Sequence, residues 1–249
     1  MKLGKLVFKK PLAIHNNYNF TFCPGCDHGL AIRIVAEVLE ELNLCERTIV
    51  VSSIGCSVFL NDYYNLDIIE APHGRALAVA TGVKRAKPDK FVFTYQGDGD
   101  FASIGLGESM HAMGRGENVS AIVINNTTYG MTGGQGGPTT IIGQVTTTTP
   151  QGRKPELHGY PIKICEIAAT FEGVGYIERT TLDSSAQIEK TKKAIKKAFE
   201  CQMMGAGTSI VEILATCPTN WKLSPKDSHK RVREELTKVF PLGVYKSCS

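Results

Sequence analysis

Apolar and polar positions along this chain follow two alternating rhythms. From Asp27 to Asn43, Leu30, Ile34, Val38 and Leu42 recur on one stripe, the period of a helix that buries one face. Other stretches are short unbroken apolar runs, rich in β-branched and aromatic residues, as strands buried on both faces are. Phe91-Val92-Phe93-Thr94-Tyr95 and Ala121-Ile122-Val123-Ile124 are the clearest. The pattern predicts strands at Thr48–Ile54, Asp67–Ala71, Phe91–Tyr95, Ala121–Ile124, Tyr176–Thr180 and Ser209–Ala215. Helices are expected over Asp27–Asn43, His73–Arg85, Phe101–Arg115, Pro161–Phe171, Ser184–Cys201 and Pro225–Phe240. This strand–helix alternation is that of an α/β fold with a doubly wound, mostly parallel sheet. Thr127–Tyr160 breaks the rhythm: it is rich in Gly and Thr, aperiodic, and longer than ordinary connections, as functional loops are.

Composition narrows the class. The 249 residues, 42% hydrophobic and 21% charged, suit a soluble domain with a sizeable core, read here as one domain over 1–249 with a C-terminal helical extension. A net charge of +4 is too small to argue for nucleic acid. No apolar run is long enough for a membrane span, and Met1-Lys2-Leu3-Gly4-Lys5 lacks the pattern of a signal peptide, so a cytoplasmic location is expected. In a reducing compartment the 8 cysteines are not a disulfide framework, and a clustered subset points to metal or redox chemistry.

Gly97-Asp98-Gly99-Asp100 closes a strand and opens a helix. Glycines permit close backbone approach, and a helix N-terminus offers free N–H groups to a phosphate. Asp100 is expected to cap that helix. Asp98 cannot bind a phosphate directly, since both are anionic; an acid beside a diphosphate implies a bridging cation, most simply Mg²⁺. Asn125-Asn126 ends the next strand and offers a neutral hard oxygen to the same sphere. Cys23-Pro24-Gly25-Cys26 sets two sulfurs on one tight turn, which suits a cluster, a zinc ion or a dithiol couple. Cys56 and Cys217 follow strand ends on the same sheet edge, and Cys165 is the rival for the fourth place. Cys45, Cys165, Cys201 and Cys248 otherwise read as inert packing or surface thiols.

Phe22-Cys23-Pro24-Gly25-Cys26, Gly55-Cys56, His73-Gly74-Arg75, Gly97-Asp98-Gly99-Asp100, Asn125-Asn126, Tyr129-Gly130-Met131-Thr132-Gly133-Gly134-Gln135 and Thr216-Cys217-Pro218-Thr219-Asn220-Trp221 occur in that order. Together they resemble the beta subunit of 2-oxoacid:ferredoxin oxidoreductases of the 2-ketoisovalerate and 2-oxoglutarate type. The resemblance covers nearly the whole chain. It implies the diphosphate-binding fold of thiamine enzymes and oxidative decarboxylation of a 2-oxoacid to acyl-CoA. It further implies Mg²⁺ held by Asp98, Asn126 and the Thr128 carbonyl, and a [4Fe–4S] cluster on Cys23, Cys26, Cys56 and Cys217. Thiamine diphosphate would touch Gly55, Cys56, Ser57, His73, Gly97, Asp98, Gly99, Asp100, Asn126, Thr128, Tyr129, Gly130, Met131 and Thr132.

The resemblance also implies partners: an alpha subunit carrying the pyrimidine-side glutamate, further gamma/delta-type subunits, coenzyme A and a ferredoxin. No coenzyme A site and no ferredoxin-like cysteine run is legible here. A non-redox thiamine enzyme, or a scaffold with a Cys₄ zinc site, each explains only one of the two motif sets. His28 reads either as a hydrogen-bonding group near the cluster or as a simple helix-start residue. His111 reads as an ordinary helical residue, and the lysines from Lys190 to Lys197 as a solvated helix face. Thr132 and Gln135 either close over the cofactor or satisfy their own loop.

Overall fold

The computed structural model describes residues 9–16 and 21–248, so the reading of Met1–Lys5 lies outside the described residues. Seven strands form the main sheet: β1 Thr48–Ser52, β2 Asp67–Glu70, β3 Phe91–Gly97, β4 Ser120–Asn125, β5 Val174–Thr181, β6 Thr208–Leu214 and β7 Gly243–Lys246. Their order is β2-β1-β3-β4-β6-β5-β7. The first six run parallel, and β7 closes the far edge antiparallel to β5. The expected doubly wound, mostly parallel α/β fold is borne out.

Strict alternation of side chains builds two cores, one on each face. Phe93, Tyr95, Ile122, Ile124, Val211 and Ile213 face α1 (His28–Glu41) and a long helix, Ser185–Met203. Val92, Ala121, Val123 and Ile210 face α2 (Ala76–Ala86), α3 (Leu106–Gly114) and α4 (Ile164–Ala168). The long helix, α5, starts at the Ser184 cap and brings Phe199 against Phe91 and Phe93, at ring distances of 4.8 and 5.5 Å. Lys192 bonds Glu37 and Glu41, and Lys196 bonds Glu41, so part of the expected solvated lysine face ties α5 to α1. The last expected helix begins as α6, Pro225–Arg231, and runs on through a wider-wound turn at Val232–Leu236 and a final helical turn at Thr237–Val239, so the helical stretch reaches Phe240 as expected.

Several expectations need correction. The stretch Phe101–Arg115 is not one helix: Asp100–Ile104 winds more widely, with Gly105 N–H donating to Asp100 O at 3.0 Å, before α3 begins. Helix Pro161–Phe171 shrinks to α4, because Lys163 is still extended. Strand β7 was hidden in the C-terminal tail, whose short run carries too little periodicity to announce it. Cys201 and Cys248 are not inert thiols but are bonded to each other, because β7 returns the tail to the end of α5.

The long loop is ordered by polar staples rather than by apolar burial. It contains a two-stranded ribbon, Thr128–Tyr129 with Gln135–Gly136, and a helical turn at Pro155–His158. Buried Arg153 donates to the carbonyls of Gly137, Thr140, His158, Gly159 and Tyr160 at 2.7–3.1 Å. No helix among the described residues is long and apolar enough to cross a membrane.

Candidate functional site

Because β1, β3 and β4 are parallel, their C-terminal ends open onto one edge, and the direction in which successive strands are added reverses between β1 and β3. Open α/β sheets bind ligands at such a switch point. A cavity lies there, lined by Gly55–Ser57 after β1, Gly97–Asp100 after β3, and Asn126 with Thr128–Thr132 after β4. His73, ahead of α2, and His28, at the start of α1, complete its wall. The fourteen residues that the resemblance assigned to the cofactor all line this one cavity.

Asp98 is buried, and desolvation pushes its carboxyl up to about 7, against the lowering effect of a hydrogen bond from the Thr139 hydroxyl. Asn126 Oδ1 accepts from the Thr128 N–H at 3.2 Å, which closes a small turn and aligns the start of the ribbon. A Cβ on Gly137 would stand 3.8 Å from both Asp98 Oδ2 and Thr128 Cα, so the carboxylate and the ribbon flank the same point. A side chain at Gly99 would overlap the ring of Tyr129, which explains the second glycine of Gly97-Asp98-Gly99.

Asp100 is not a helix cap. Its Oδ1 accepts from Ser53 Oγ at 2.6 Å, His73 Nδ1 at 2.5 Å and Gly74 N at 2.6 Å, and Oδ2 accepts from Gln96 Nε2 at 2.5 Å. The wide turn directs this carboxylate inward, where it fastens the ends of β1 and β3 to the start of α2. With Nδ1 held by Asp100, the Nε2 side of the His73 ring is left for the cavity. Thr132 and Gln135 bond each other, hydroxyl to Oε1 at 2.7 Å and Nε2 to carbonyl at 2.8 Å, so they satisfy their own loop while Thr132 also lines the cavity.

A second cavity adjoins the first. Cys23, Cys26, Cys56 and Cys217 line it together, and His28, Cys56, Asn126, Gly130 and Met131 belong to both walls. A Cβ on Gly130 would stand 3.4 Å from Cys217 Sγ and 3.6 Å from Asn126 Nδ2, so the sulfur and the amide flank one backbone atom. Burial raises Cys26 to about 12 and Cys56 to about 11, with repulsion between the sulfurs adding to the shift; Cys217 is raised too, chiefly by burial. These sulfurs stay protonated until a cation offsets that cost. Asn220 Nδ2 donates to Cys217 Sγ at 3.2 Å. Cys165 lies elsewhere, in the core between α4 and the sheet, with its thiol donating to Glu212 at 3.0 Å. Among the described residues, no three His, Cys, Asp or Glu side chains stand close enough to hold a single metal ion.

A family model described as thiamine pyrophosphate enzyme, C-terminal TPP binding domain, matches residues 53–213. The chain belongs to this family. It is 40% identical to ketoisovalerate oxidoreductase subunit VorA of Methanothermobacter thermautotrophicus over 99% of this chain and 54% of that protein. It is 37% identical to 2-oxoglutarate synthase subunit KorB of Archaeoglobus fulgidus, over 90% of this chain and 84% of that one. The chain thus spans about half the length of its VorA relative and most of the KorB relative. Its fold matches 2-oxoglutarate:ferredoxin oxidoreductase from Magnetococcus marinus, solved with 2-oxoglutarate, coenzyme A and succinyl-CoA bound, with a TM-score of 0.74 and 26% identity over 96% of this chain and 89% of that chain. Within the thiamine pyrophosphate enzymes it groups with the beta subunits of 2-oxoacid:ferredoxin oxidoreductases.

Several residues that shape these two cavities carry no signal in the sequence. Thr139 was hidden in a threonine-rich loop, and Ser53 and Gln96 among strand residues. Asp27, between Cys26 and His28, accepts from Thr216 N at 2.8 Å and bonds His229 Nε2 at 3.0 Å, which pins the cysteine turn to β6 and α6. Gly25 has φ +77°, and a Cβ there would meet Pro225 at 2.6 Å. Only glycine fits the turn beneath α6.

Proposed function

We propose that residues 1–249 form one thiamine diphosphate-binding domain, the beta subunit of a 2-oxoacid:ferredoxin oxidoreductase that converts a 2-oxoacid to acyl-CoA and CO₂. The observation that carries this reading is the shared wall between the diphosphate cavity and the four-cysteine cavity. A non-redox thiamine enzyme has no use for the second cavity, and a zinc scaffold has no use for the first.

The residues present fit the groups the family implies. Asp98 and Asn126 offer hard oxygens, and with the Thr128 carbonyl they would hold Mg²⁺. Cys23, Cys26, Cys56 and Cys217 supply four thiolates, the ligand set of a [4Fe–4S] cluster, whose sulfurs bind different irons and need wider spacing than one ion does. When bound, thiamine diphosphate supplies a thiazolium that adds to the keto carbon and a ring that takes up the electron pair freed by loss of CO₂. The chain's own contribution is positional. Asp100 fixes His73 at the cavity wall, Tyr129 seats on Gly99, and Asn220 donates a hydrogen bond to the Cys217 sulfur. Gly97 and Gly99 keep the backbone bare for the diphosphate.

The alpha subunit would bring the pyrimidine-side glutamate, and gamma/delta-type subunits, a ferredoxin and coenzyme A would complete the path of electrons and acyl group. The cytoplasm is the compartment this assembly suits. The test is reconstitution. The chain mixed with its partner subunits, iron-loaded and given thiamine diphosphate, Mg²⁺ and coenzyme A, should reduce ferredoxin with pyruvate, 2-oxoglutarate, a branched-chain or an aryl 2-oxoacid. The chain alone should not. Turnover by the chain alone, or none by the complex with any of these acids, overturns the reading.

A further inference from the structure

His28 stands where the two cavities meet, and its ring is held from several sides. It is buried at the first residue of α1. Phe22 stacks on it at 5.1 Å with 8° between the planes. Tyr95, from β3, tilts against it at 5.7 Å and places its hydroxyl 3.0 Å from His28 Nδ1. The backbone of His28 also offsets part of the burial that raises the Cys26 thiol. His28 lines both the diphosphate cavity and the cysteine cavity.

The bond to Tyr95 decides the tautomer. The Tyr95 side chain is fully buried, and Nδ1 is the acceptor its hydroxyl faces. If Nδ1 carried the ring proton, the phenol would become the acceptor and its own O–H would be left unpaired in the core, the costlier arrangement. With the phenol donating, the proton sits on Nε2. A doubly protonated ring also keeps an Nε2–H. Phe22 covers a ring face and Tyr95 holds Nδ1, so the Nε2 edge is the one left for the cavities.

We infer that His28 is a positioning and tuning residue whose Nε2–H donates a hydrogen bond to the sulfur of an iron–sulfur group held by Cys23, Cys26, Cys56 and Cys217. The inference rests on the cluster reading above. A donor of this kind draws electron density from the sulfur it meets, stabilises the reduced state and raises the reduction potential. Its place at the shared wall lets one side chain set how readily electrons pass from the thiamine side to the cluster.

The test uses the assembled, iron-loaded complex, with redox titration followed by electron paramagnetic resonance. His28→Phe keeps a ring to stack on Phe22 and removes the donor. It should lower the midpoint potential of the iron-replete complex. His28→Gln returns an N–H and should recover part of the potential. Tyr95→Phe releases Nδ1 and should lower it by less than His28→Phe does. Should His28→Phe shed its iron, Tyr95→Phe carries the test, and a wild-type potential in that variant overturns the inference. Equal potentials in wild type and an iron-replete His28→Phe overturn it too. So does a loss of thiamine diphosphate affinity at unchanged potential, which would assign the donor to the other cavity. Absence of an iron–sulfur signal in the wild-type complex defeats the cluster reading itself, and the role of His28 with it.

Discussion

The carboxylate of Asp27 accepts the backbone N–H of Thr216 at 2.8 Å. Asp27 follows Cys26, and Thr216 precedes Cys217, so this bond sets the distance between two segments far apart in sequence that carry the proposed cluster ligands. A second bond, from the Thr216 hydroxyl to the Gly25 carbonyl at 2.6 Å, doubles the tie. His229 and Pro225 on α6 press on the same turn.

Replacing Asp27 should therefore loosen the cysteine turn. Asp27→Ala leaves a buried N–H unpaired, and a loss of about 1–3 kcal/mol is expected in urea unfolding. Iron retention in the loaded protein should fall in parallel. Stability and iron content equal to wild type would show that the tie does not hold the turn.

The His229–Asp27 pair should show a pH signature. The hydrogen bond to Asp27 raises His229 above its ordinary value of 6.5. A folded-state pKa above the unfolded one stabilises fully below about pH 6.5 and loses that contribution as pH rises through the folded value. The stability gap between wild type and His229→Ala should be widest in mild acid and narrow toward alkaline pH. Thermal melts of both proteins across pH 5.5–9, roughly the range spanning a perturbed histidine, read this directly. A gap that widens with pH would contradict the pairing.

Asp98→Ala should abolish binding of thiamine diphosphate with Mg²⁺ to the assembled protein, measured by calorimetry, while the circular dichroism spectrum stays native. The side chain ends β3 at the cavity and belongs to neither apolar core, so the fold survives its loss. Undiminished affinity would remove Asp98 from the metal site.

For the fourth sulfur, Cys217→Ala should lose or convert the cluster, whereas Cys165→Ala should keep it. Cys217 lines the cavity with the other three, and Cys165 is spent on Glu212. Iron analysis and electron paramagnetic resonance of the two variants separate the cases; an intact cluster in Cys217→Ala with loss in Cys165→Ala would reverse the assignment.

Arg179 should matter for stability alone. Its fully buried guanidinium bonds Glu166 and Glu212, and Glu212 in turn accepts from Asn125 at 2.6 Å. Arg179→Met leaves Glu212 charged and buried without its partner, which should cost about 3–5 kcal/mol in urea unfolding. A neutral effect would mean that the core neutralises Glu212 by another route.

Local periodicity already carried much of this protein. The parallel direction of the strands and the edge on which Gly97–Asp100, Asn126, Cys23, Cys26, Cys56 and Cys217 gather follow from that periodicity and from chain direction, because a strand's end and the next helix's start must share an edge. What local pattern could not reveal were the contacts made at long range. Asp100 looked like a helix cap because its neighbours are a glycine turn and a helix, yet a wider turn of backbone directs it toward Ser53, His73 and Gln96. Asp27, Thr139, Asn220 and Arg153 gave no periodic signal, since a single polar residue acquires its meaning only from the group that folding sets opposite it. The pairing of Cys201 with Cys248 depended on β7, a short edge strand whose position is settled by β5 and not by its own residues. Two cavities with a common wall exist only once β1, β3, β4 and β6 lie side by side, and that adjacency is the property of the folded sheet.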